Sequence, residues 1–480
     1  MVTPVGRVVR SVPRPVRRGF KVVVALLLLP AFVLAAGTGR PTTPAARKAN
    51  LAGRPVSLPE AIDLALNTHP RITATAHAEA AAEHELKAKE ALKLPRITFQ
   101  NILKDSNHLK RYRPLGSIGP LLSDINDDSA MMTGAILEVP VYVGDRLAII
   151  PRIALRKKEG QQQLRRKASQ DLVLELVRLY LDALVAEKAL KVEAERATLK
   201  ELELRAAREK AASDAVAAPR VMSLELELDD IKQQQLEYTT QLDSDQQSLS
   251  ELIGAPPGAV VELVGEFDMR ELEGTPSDML RIGRAENPDL RLLELALATA
   301  GEEIGLAASD EKLQMNFRAD YFWDHTFERP DNGADVWTVA LVTSWPLWDG
   351  GYVHQEKQRA RDRVREAKSN LAAALQLLDL QMRQAYSTLT SSRKLVDGLE
   401  KNVSLARSTL QTVTDKYQVN VLSRADLVEA RMNLMRAIVN RDRISARVLE
   451  ARAALFRLMG RLEPAVFQAA PPSVASRGDS

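Results

Sequence analysis

Two stretches of strict alternation interrupt an otherwise helical pattern. Between Asn316 and Phe327, the residues Phe317, Ala319, Tyr321 and Trp323 fall on one parity, and Arg318, Asp320 and Asp324 on the other. Between Val336 and Leu347, Trp337, Val339, Leu341, Thr343 and Trp345 share a face opposite Thr338, Ala340 and Ser344. A period of two predicts strands over 316–327 and 336–347. A weaker alternation predicts a second pair. Over 96–107, Ile97, Phe99 and Leu103 oppose Thr98 and Gln100; over 130–141, Met131, Ala135, Leu137 and Val139 oppose Gly134 and Glu138. After each pair the apolar spacing changes to three and four, as in Leu172, Leu176, Leu179, Leu184, Ala189, Val192, Leu199 and Leu202. That spacing predicts a helix of about 65 residues, roughly 100 Å long at 1.5 Å per residue. Pro151 is its one interruption. A helix of that length needs a coiled-coil-like partner.

The same order of elements occurs twice, so a duplicated unit is expected. The first repeat spans 57–254, with a helical hairpin over 147–253 and its tip at 214–220. The second spans 276–462, with a hairpin over 352–459 and its tip at 418–423. Leu249, Leu252, Ile253 and Gly254 close the first as Leu455, Leu458, Met459 and Gly460 close the second. His69-Pro70 and Asn287-Pro288 break the short helices that open each repeat. Ser57-Leu58-Pro59-Glu60 reads as a capping box. Residues 37–56 read as a flexible segment, 255–275 as a link between repeats, and 463–480 as a Pro/Ala/Ser-rich disordered tail.

The N-terminus predicts export. Arg7, Arg10, Arg14, Arg17, Arg18 and Lys21 precede an apolar run from Val22 to Leu34, and the small residues Ala35, Ala36 and Gly37 follow. This is the form of a secretory signal peptide, assigned here to 1–36. No later apolar stretch is long enough for a spanning helix, so any membrane crossing falls to strands. The chain has no cysteine, which excludes disulfides and cysteine-ligated metal. A net charge of +3 with 27% charged residues gives no nucleic-acid footprint. Arg165-Arg166-Lys167 reads as a solvated helix face. Phosphate loops, nucleophile elbows and His-Glu-x-x-His motifs are absent, so no enzyme or cofactor is expected. His77 and His84 share a helix face but lack a close third ligand.

All four tryptophans, Trp323, Trp337, Trp345 and Trp348, sit in or beside the second strand pair. Apolar-out alternation with such aromatics is what a membrane barrel requires, the tryptophans forming its interfacial belt. Four strands cannot close a barrel, and open edges in lipid leave backbone groups unpaired. Copies must pool strands: two give about eight, which side chains fill, and three about twelve, which leave a lumen. The small inner residues Thr338, Ala340 and Ser344 favour a lumen.

The stretch Tyr417-Gln418-Val419-Asn420-Val421-Leu422-Ser423-Arg424-Ala425-Asp426-Leu427-Val428-Glu429-Ala430 resembles the hairpin tip of TolC-like outer membrane factors. Trp345-Pro346-Leu347-Trp348-Asp349-Gly350-Gly351 resembles their strand-to-helix turn. The resemblance covers about 57–462. It implies a mainly α fold with transmembrane β structure: a duplicated helical-hairpin repeat forming a homotrimeric periplasmic tunnel continuous with an outer-membrane barrel of about twelve strands, four per chain. It implies a passive exit duct of a tripartite efflux pump or type I secretion system, with a periplasmic adaptor, an inner-membrane transporter and outer-membrane lipid as partners. Asp426 and Glu429 would then sit at the periplasmic entrance with Tyr417. Residues at i and i+3 share a helix face, so three copies would converge six carboxylates there. Asp214, Ala215 and Val216 in the first tip, and Val419, Asn420 and Val421 in the second, are the expected adaptor contacts. The family's tip glycine is replaced by Ala215 and Asn420, and its first-hairpin Asp falls at Val221, so a latch from that position to Tyr417 is not expected. The competing reading is a periplasmic coiled-coil scaffold without a pore. Drug, metal-ion and protein cargo all use such ducts, and nothing in the sequence selects among them.

Overall fold

The computed structural model of the 480-residue chain describes residues 55–105, 129–211, 218–255, 262–263, 267–269, 272, 274–326, 334–419 and 421–469. The expected signal segment, 1–36, lies outside them. The first repeat opens with β1 (Pro55–Val56), α1 (Leu58–Thr68) and α2 (Pro70–Glu90). The strands β2 (Arg96–Asp105) and β3 (Ser129–Val143) follow, then the hairpin of α3 (Arg146–Ala211) and α4 (Ala218–Leu252). Two short strands, β4 (Glu262–Leu263) and β5 (Phe267–Met269), lead to the second repeat. That repeat comprises α5 (Pro276–Glu286), α6 (Pro288–Ala308), β6 (Gln314–Thr326), β7 (Ala334–Ser344), α7 (Tyr352–Gln418) and α8 (Arg424–Leu458). The chain returns in β8 (Phe467–Ala469). The helices match in length: α1 and α5 have 11 residues, α2 and α6 have 21, α3 and α7 have 66 and 67, and α4 and α8 have 35.

Local chemistry accounts for the breaks. His69 ends α1 and caps α2, its Nδ1 accepting from the Arg71 N–H at 3.1 Å. Asn287 does the same for α6, accepting from Asp289 and Leu290 while its Nδ2 donates to the Leu458 carbonyl at 2.8 Å. The turn from strand to long helix needs two successive left-handed residues, Gly144 and Asp145 in one repeat and Gly350 and Gly351 in the other. Pro151 lies inside α3 without ending it, one turn from the start, where few carbonyls lose a partner.

Strands β2, β3, β6 and β7 form one antiparallel sheet in that order, so β2 and β7 are its edges. The main core lies around the middle of the long helices. There Leu172, Leu176 and Tyr180 of α3 pack with Ile62, Ile253, Met279, Met382 and Leu455. Between core and sheet, ion pairs carry much of the contact. Glu79, Glu83 and Glu85 of α2 meet Arg165, Lys158 and Lys157 of α3 at 3.1, 3.4 and 2.6 Å. Glu302 of α6 meets Arg152 and Arg156 of α3, and Glu303 meets Arg363 of α7.

Several expectations are corrected. Residues 55–56 are not flexible: β1 pairs in parallel with β4, and Val56 is fully buried. The tail is not disordered from 463, because β8 pairs with β5, and Val466 and Phe467 join the core. Apolar side chains there gain enough burial to hold a short strand. Ser57 is the N-cap of α1 but makes no side-chain cap bond, so no capping box forms there. Strand β7 starts at Ala334 and stops at Ser344, opposite the first residue of β6, so Trp345, Pro346 and Leu347 lie outside the ladder. Pro346 has no N–H to continue it. Arg165, Arg166 and Lys167 are not merely solvated: they bind Glu79, the Gly460 carbonyl and Asp289 at 3.1, 2.8 and 2.5 Å.

Candidate functional site

Three surfaces bear on function: the sheet, the second hairpin tip, and the helix faces left without a partner. On one face of the sheet, register aligns Phe99, Ala135, Tyr321 and Trp337 in a row, with Ile97, Leu137, Ala319 and Val339 beside it. Ile97, Phe99, Leu103, Tyr321, Trp323, Trp337, Val339 and Leu341 are all exposed. A water-facing sheet would not leave such a surface open. Trp345 and Trp348 are exposed just past β7, and the Trp345 indole donates to the Glu311 carbonyl at 3.2 Å. Trp337 and Trp345 are eight residues apart, about 26 Å along an extended chain.

The other face is less polar than the alternation implied. Met132, Ile136 and Phe322 are buried together there with Ile102 beside them. The Phe322 ring lies over Gly134, where an added Cβ would meet the Tyr321 carbonyl oxygen at 2.1 Å and the ring at 2.5 Å. On the helix side of this cluster, Arg318 donates to Asp320 at 2.6 Å and lies 3.9 Å from Glu138. Sequence reading missed the cluster because its members sit on the parity shared by Arg318 and Asp320, and only register brings them together.

At the second tip, α7 ends at Gln418, one residue past the half-buried Tyr417. The Val421 N–H closes the turn onto the Lys416 carbonyl at 2.9 Å, and Val419 and Val421 are exposed. Ser423 and Asp426 form a complete capping box on α8. The Asp426 carboxylate accepts from the Ser423 N–H at 2.8 Å and from its hydroxyl at 2.7 Å, and the Asp426 N–H donates back at 3.2 Å. The hydroxyl, then the N–H, hold the Asp426 carboxyl below its ordinary value. Glu429 follows one turn later and is exposed. The Ser-x-x-Asp spacing was the signal that could have revealed this cap.

Asp214, Ala215, Val216 and Asn420 lie outside the described residues. The helices flanking the first tip are tied by charge. Lys200 binds Glu203 and Glu227 at 3.0 and 2.9 Å, and Arg208 binds Glu225 at 2.7 Å. Val221, at the position of the family's Asp, packs with Leu204, Leu224 and Leu228. His77 and His84 are exposed, and no group of three metal-donor side chains occurs among the described residues.

The duplication exposes a third surface. Arg146 and Tyr352 start α3 and α7, a spacing of 206 residues. Leu199 of α3 is 3% exposed, but its counterpart Leu405 of α7 is 67% exposed. Ala189 and Leu395 differ likewise, at 4% and 55%, and so do Met432 of α8 and Leu226 of α4, at 7% and 68%. Helix α3 packs against both α4 and α8, whereas α7 packs against α8 and makes no comparable contact with α4. One junction between repeats is filled within the chain, and the equivalent faces of α7 and α4 stand open.

A long paired-hairpin body joined to a small sheet with an apolar outer face defines an outer-membrane channel of the efflux class. The chain belongs to the outer membrane efflux protein family, whose sequence model matches residues 61–255 and 280–461. It is a protein of the Gram-negative outer membrane. Among solved structures it is similar to the CmeC outer membrane channel of Campylobacter jejuni, with a TM-score of 0.70 at 14% identity, covering 84% of this chain and 86% of that one. VceC of Vibrio cholerae gives 0.67 at 14%, covering 85% and 97%. The open-state MtrE channel of Neisseria gonorrhoeae gives 0.66 at 18%, covering 85% and 90%. Nodulation protein T of Rhizobium leguminosarum bv. trifolii is 24% identical over 200 residues. That match takes in 39% of this chain and 41% of the relative's length.

Proposed function

We propose that three copies of this chain form a passive duct that ends a tripartite efflux pump or a type I secretion system. The open sheet carries this reading. Its outer face is apolar, and in lipid the unpaired edges β2 and β7 would each leave a row of backbone groups unsatisfied. Pairing β7 of one copy with β2 of the next satisfies them. Three copies give a barrel of about twelve strands with a lumen, and two give one that side chains fill. The open faces of α7 and α4 support the same ring, since each would cover the other between neighbouring copies. Trp323 and Trp337 at one level and Trp345 and Trp348 at the other fit the two interfacial belts. At a strand tilt of about 40°, the span between them is roughly 20 Å, close to a barrel's apolar band. The basic and apolar segment 1–36 would direct export.

The helical hairpins would then extend the barrel into the periplasm, with Asp426 and Glu429 near the far end. Three copies bring six carboxylates to one opening, which attracts cations and repels anions. Val419 and Val421, exposed at the tip, offer an adaptor an apolar contact, and an inner-membrane transporter would supply the energy.

Planar-bilayer conductance of the detergent-extracted protein tests the reading. Wild type is expected to give a steady cation-selective conductance, weakened in Asp426→Ala/Glu429→Ala. Ser423→Ala is the control, because it removes the cap and leaves both carboxylates. Equal loss of selectivity in Ser423→Ala would make Asp426 a helix cap and not a gate charge. No conductance, from a protein that stays soluble and elongated without detergent, would replace the duct with a periplasmic scaffold.

A further inference from the structure

Helix α6 packs between α3 and α7, whereas its counterpart α2 packs on α3 and makes no comparable contact with α7. Pro70 and Pro288 start α2 and α6, a spacing of 218 residues. With the 206 of the long helices, this spacing maps one junction onto another. The mapping holds where both junctions lie inside the chain. Glu85 of α2 binds Lys157 of α3 at 2.6 Å, and their counterparts Glu303 and Arg363 bind at 2.9 Å. The α3–α6 junction maps in the same way onto α7 and α2, which can meet only between copies.

Across this mapping, both partners of a pair change together. Within the chain, Glu302 of α6 takes Arg152 and Arg156 of α3 at 2.9 and 3.2 Å. The counterparts are His84 for Glu302, Gln358 for Arg152 and Asp362 for Arg156. The polarity is reversed and the pair still matches: the acid has moved to the long helix and the donor to the short one. Closer to the sheet, Arg146 binds Asp310 at 2.8 Å. Their counterparts are Tyr352 and Leu92, 61% and 46% exposed, so an ion pair gives way to a tyrosine and a leucine. Lys167 and Asp289 have no matched equivalent: their positions hold Ala373 and Arg71, and Arg71 lies 3.9 Å from Asp171 instead. On α2, Ala74, His77, Ala81 and His84 recur at three and four and are all exposed, which makes one continuous open face. Asp362 is exposed as well.

We propose that α2 of one copy docks on α7 of the next, with His84 donating to the partner's Asp362 and Leu92 packing on the partner's Tyr352. This docking rests on the ring of three copies proposed above. An imidazole carries an N–H donor in either charge state, and a carboxylate takes several donors, so Asp362 keeps its bond from Arg365 at 2.7 Å. The reversed polarity also selects the occupant. A neighbour's α6 set on this face of α7 would bring Glu302 against Asp362, like charge on like, whereas α2 brings a donor.

Cross-linking with a short bismaleimide tests the docking on the full chain in mild detergent, beside native mass spectrometry of the same preparations. The chain has no cysteine, so His84→Cys/Asp362→Cys introduces two thiols and no others. Covalent trimers are expected on denaturing gels, and neither single variant is expected to give them. A double variant that is trimeric in the native spectrum yet runs as single chains after cross-linking would overturn the docking and leave the duct standing. A wild-type protein that is monomeric would overturn both. Charge exchange gives a second readout. His84→Glu sets carboxylate against carboxylate at three junctions and is expected to weaken assembly roughly tenfold or more. His84→Glu/Asp362→Arg copies the Glu302–Arg156 pair and is expected to recover wild-type assembly. Undiminished assembly in His84→Glu, or no recovery in the double variant, would overturn the pairing.

Discussion

Leu405→Glu tests how copies of the chain meet. Leu405 is 67% exposed, while Leu199, its counterpart in the first repeat, is 3% exposed. Fully burying a leucine is worth about 1.5–3 kcal/mol, so covering the two-thirds that stands open is worth about 1–2 kcal/mol. Three equivalent junctions make about 3–6 kcal/mol per trimer, before the added cost of burying a carboxylate. Since each 1.4 kcal/mol is tenfold in an equilibrium constant, the variant is expected to weaken assembly by roughly a hundredfold or more. Native mass spectrometry across a dilution series in mild detergent reads this directly. Leu236→Asp is the matched control. Its counterpart Asp442 binds Lys188 at 2.5 Å across the filled junction, and the counterpart of Lys188 is Lys394. An aspartate at 236 would therefore face Lys394 of the partner subunit and is expected to leave the trimer intact, as surface pairs change stability by only about 0–1 kcal/mol. A Leu405→Glu protein that holds its trimer at wild-type dilution would refute the use of the repeat to locate the interface.

Two further outcomes follow from packing. Arg457, nearly buried, donates to Asp171 at 2.6 Å and to Asp289 at 2.9 Å, tying α8 to α3 and α6. Burial pushes the Asp289 carboxyl up, and Lys167 and Arg457 together pull it below its ordinary value, so this tie holds at neutral pH and weakens as pH falls through the lowered value. Arg457→Met is expected to cost roughly 2–4 kcal/mol, discounted from a fully buried pair because both acids are part-exposed, and to lower the thermal midpoint at neutral pH; an unchanged midpoint would contradict the assignment. Gly134→Ala sets a methyl against the Tyr321 carbonyl and is expected to cut the yield of folded barrel in outer-membrane fractions. Phe322→Ala is not expected to rescue it, because the nearest clash is with backbone; wild-type yield would count against the register between β3 and β6.

The periodicities that mark the strands and long helices are local, so the sequence displays them without knowledge of the fold. Asp426 could be placed on a helix near a tip, and its Ser423 partner stands three residues away. Longer-range features had no such signal. Val56 belongs to a two-residue strand whose partner, Leu263, is far along the chain. Phe467 likewise finds Met269. The Met132–Ile136–Phe322 cluster looked like irregular polar parity until register joined its members. The basic run at Arg165 resembled a solvated face because its acids lie on other helices.

Fusing two hairpin units in one chain changes the thermodynamics of the ring. Six similar junctions would surround the tunnel, and in a trimer three of them lie inside single chains. Those three hold at any dilution, because the covalent link keeps the units at high effective concentration and spares the rotational and translational entropy of separate association. In that ring, the α7–α4 junctions, with Leu405 and Leu226, and the β7–β2 pairing would depend on protomer concentration. The tethered junction is thereby relieved of the need for strong adhesion, so its side chains can differ from those of the open faces without dispersing the assembly.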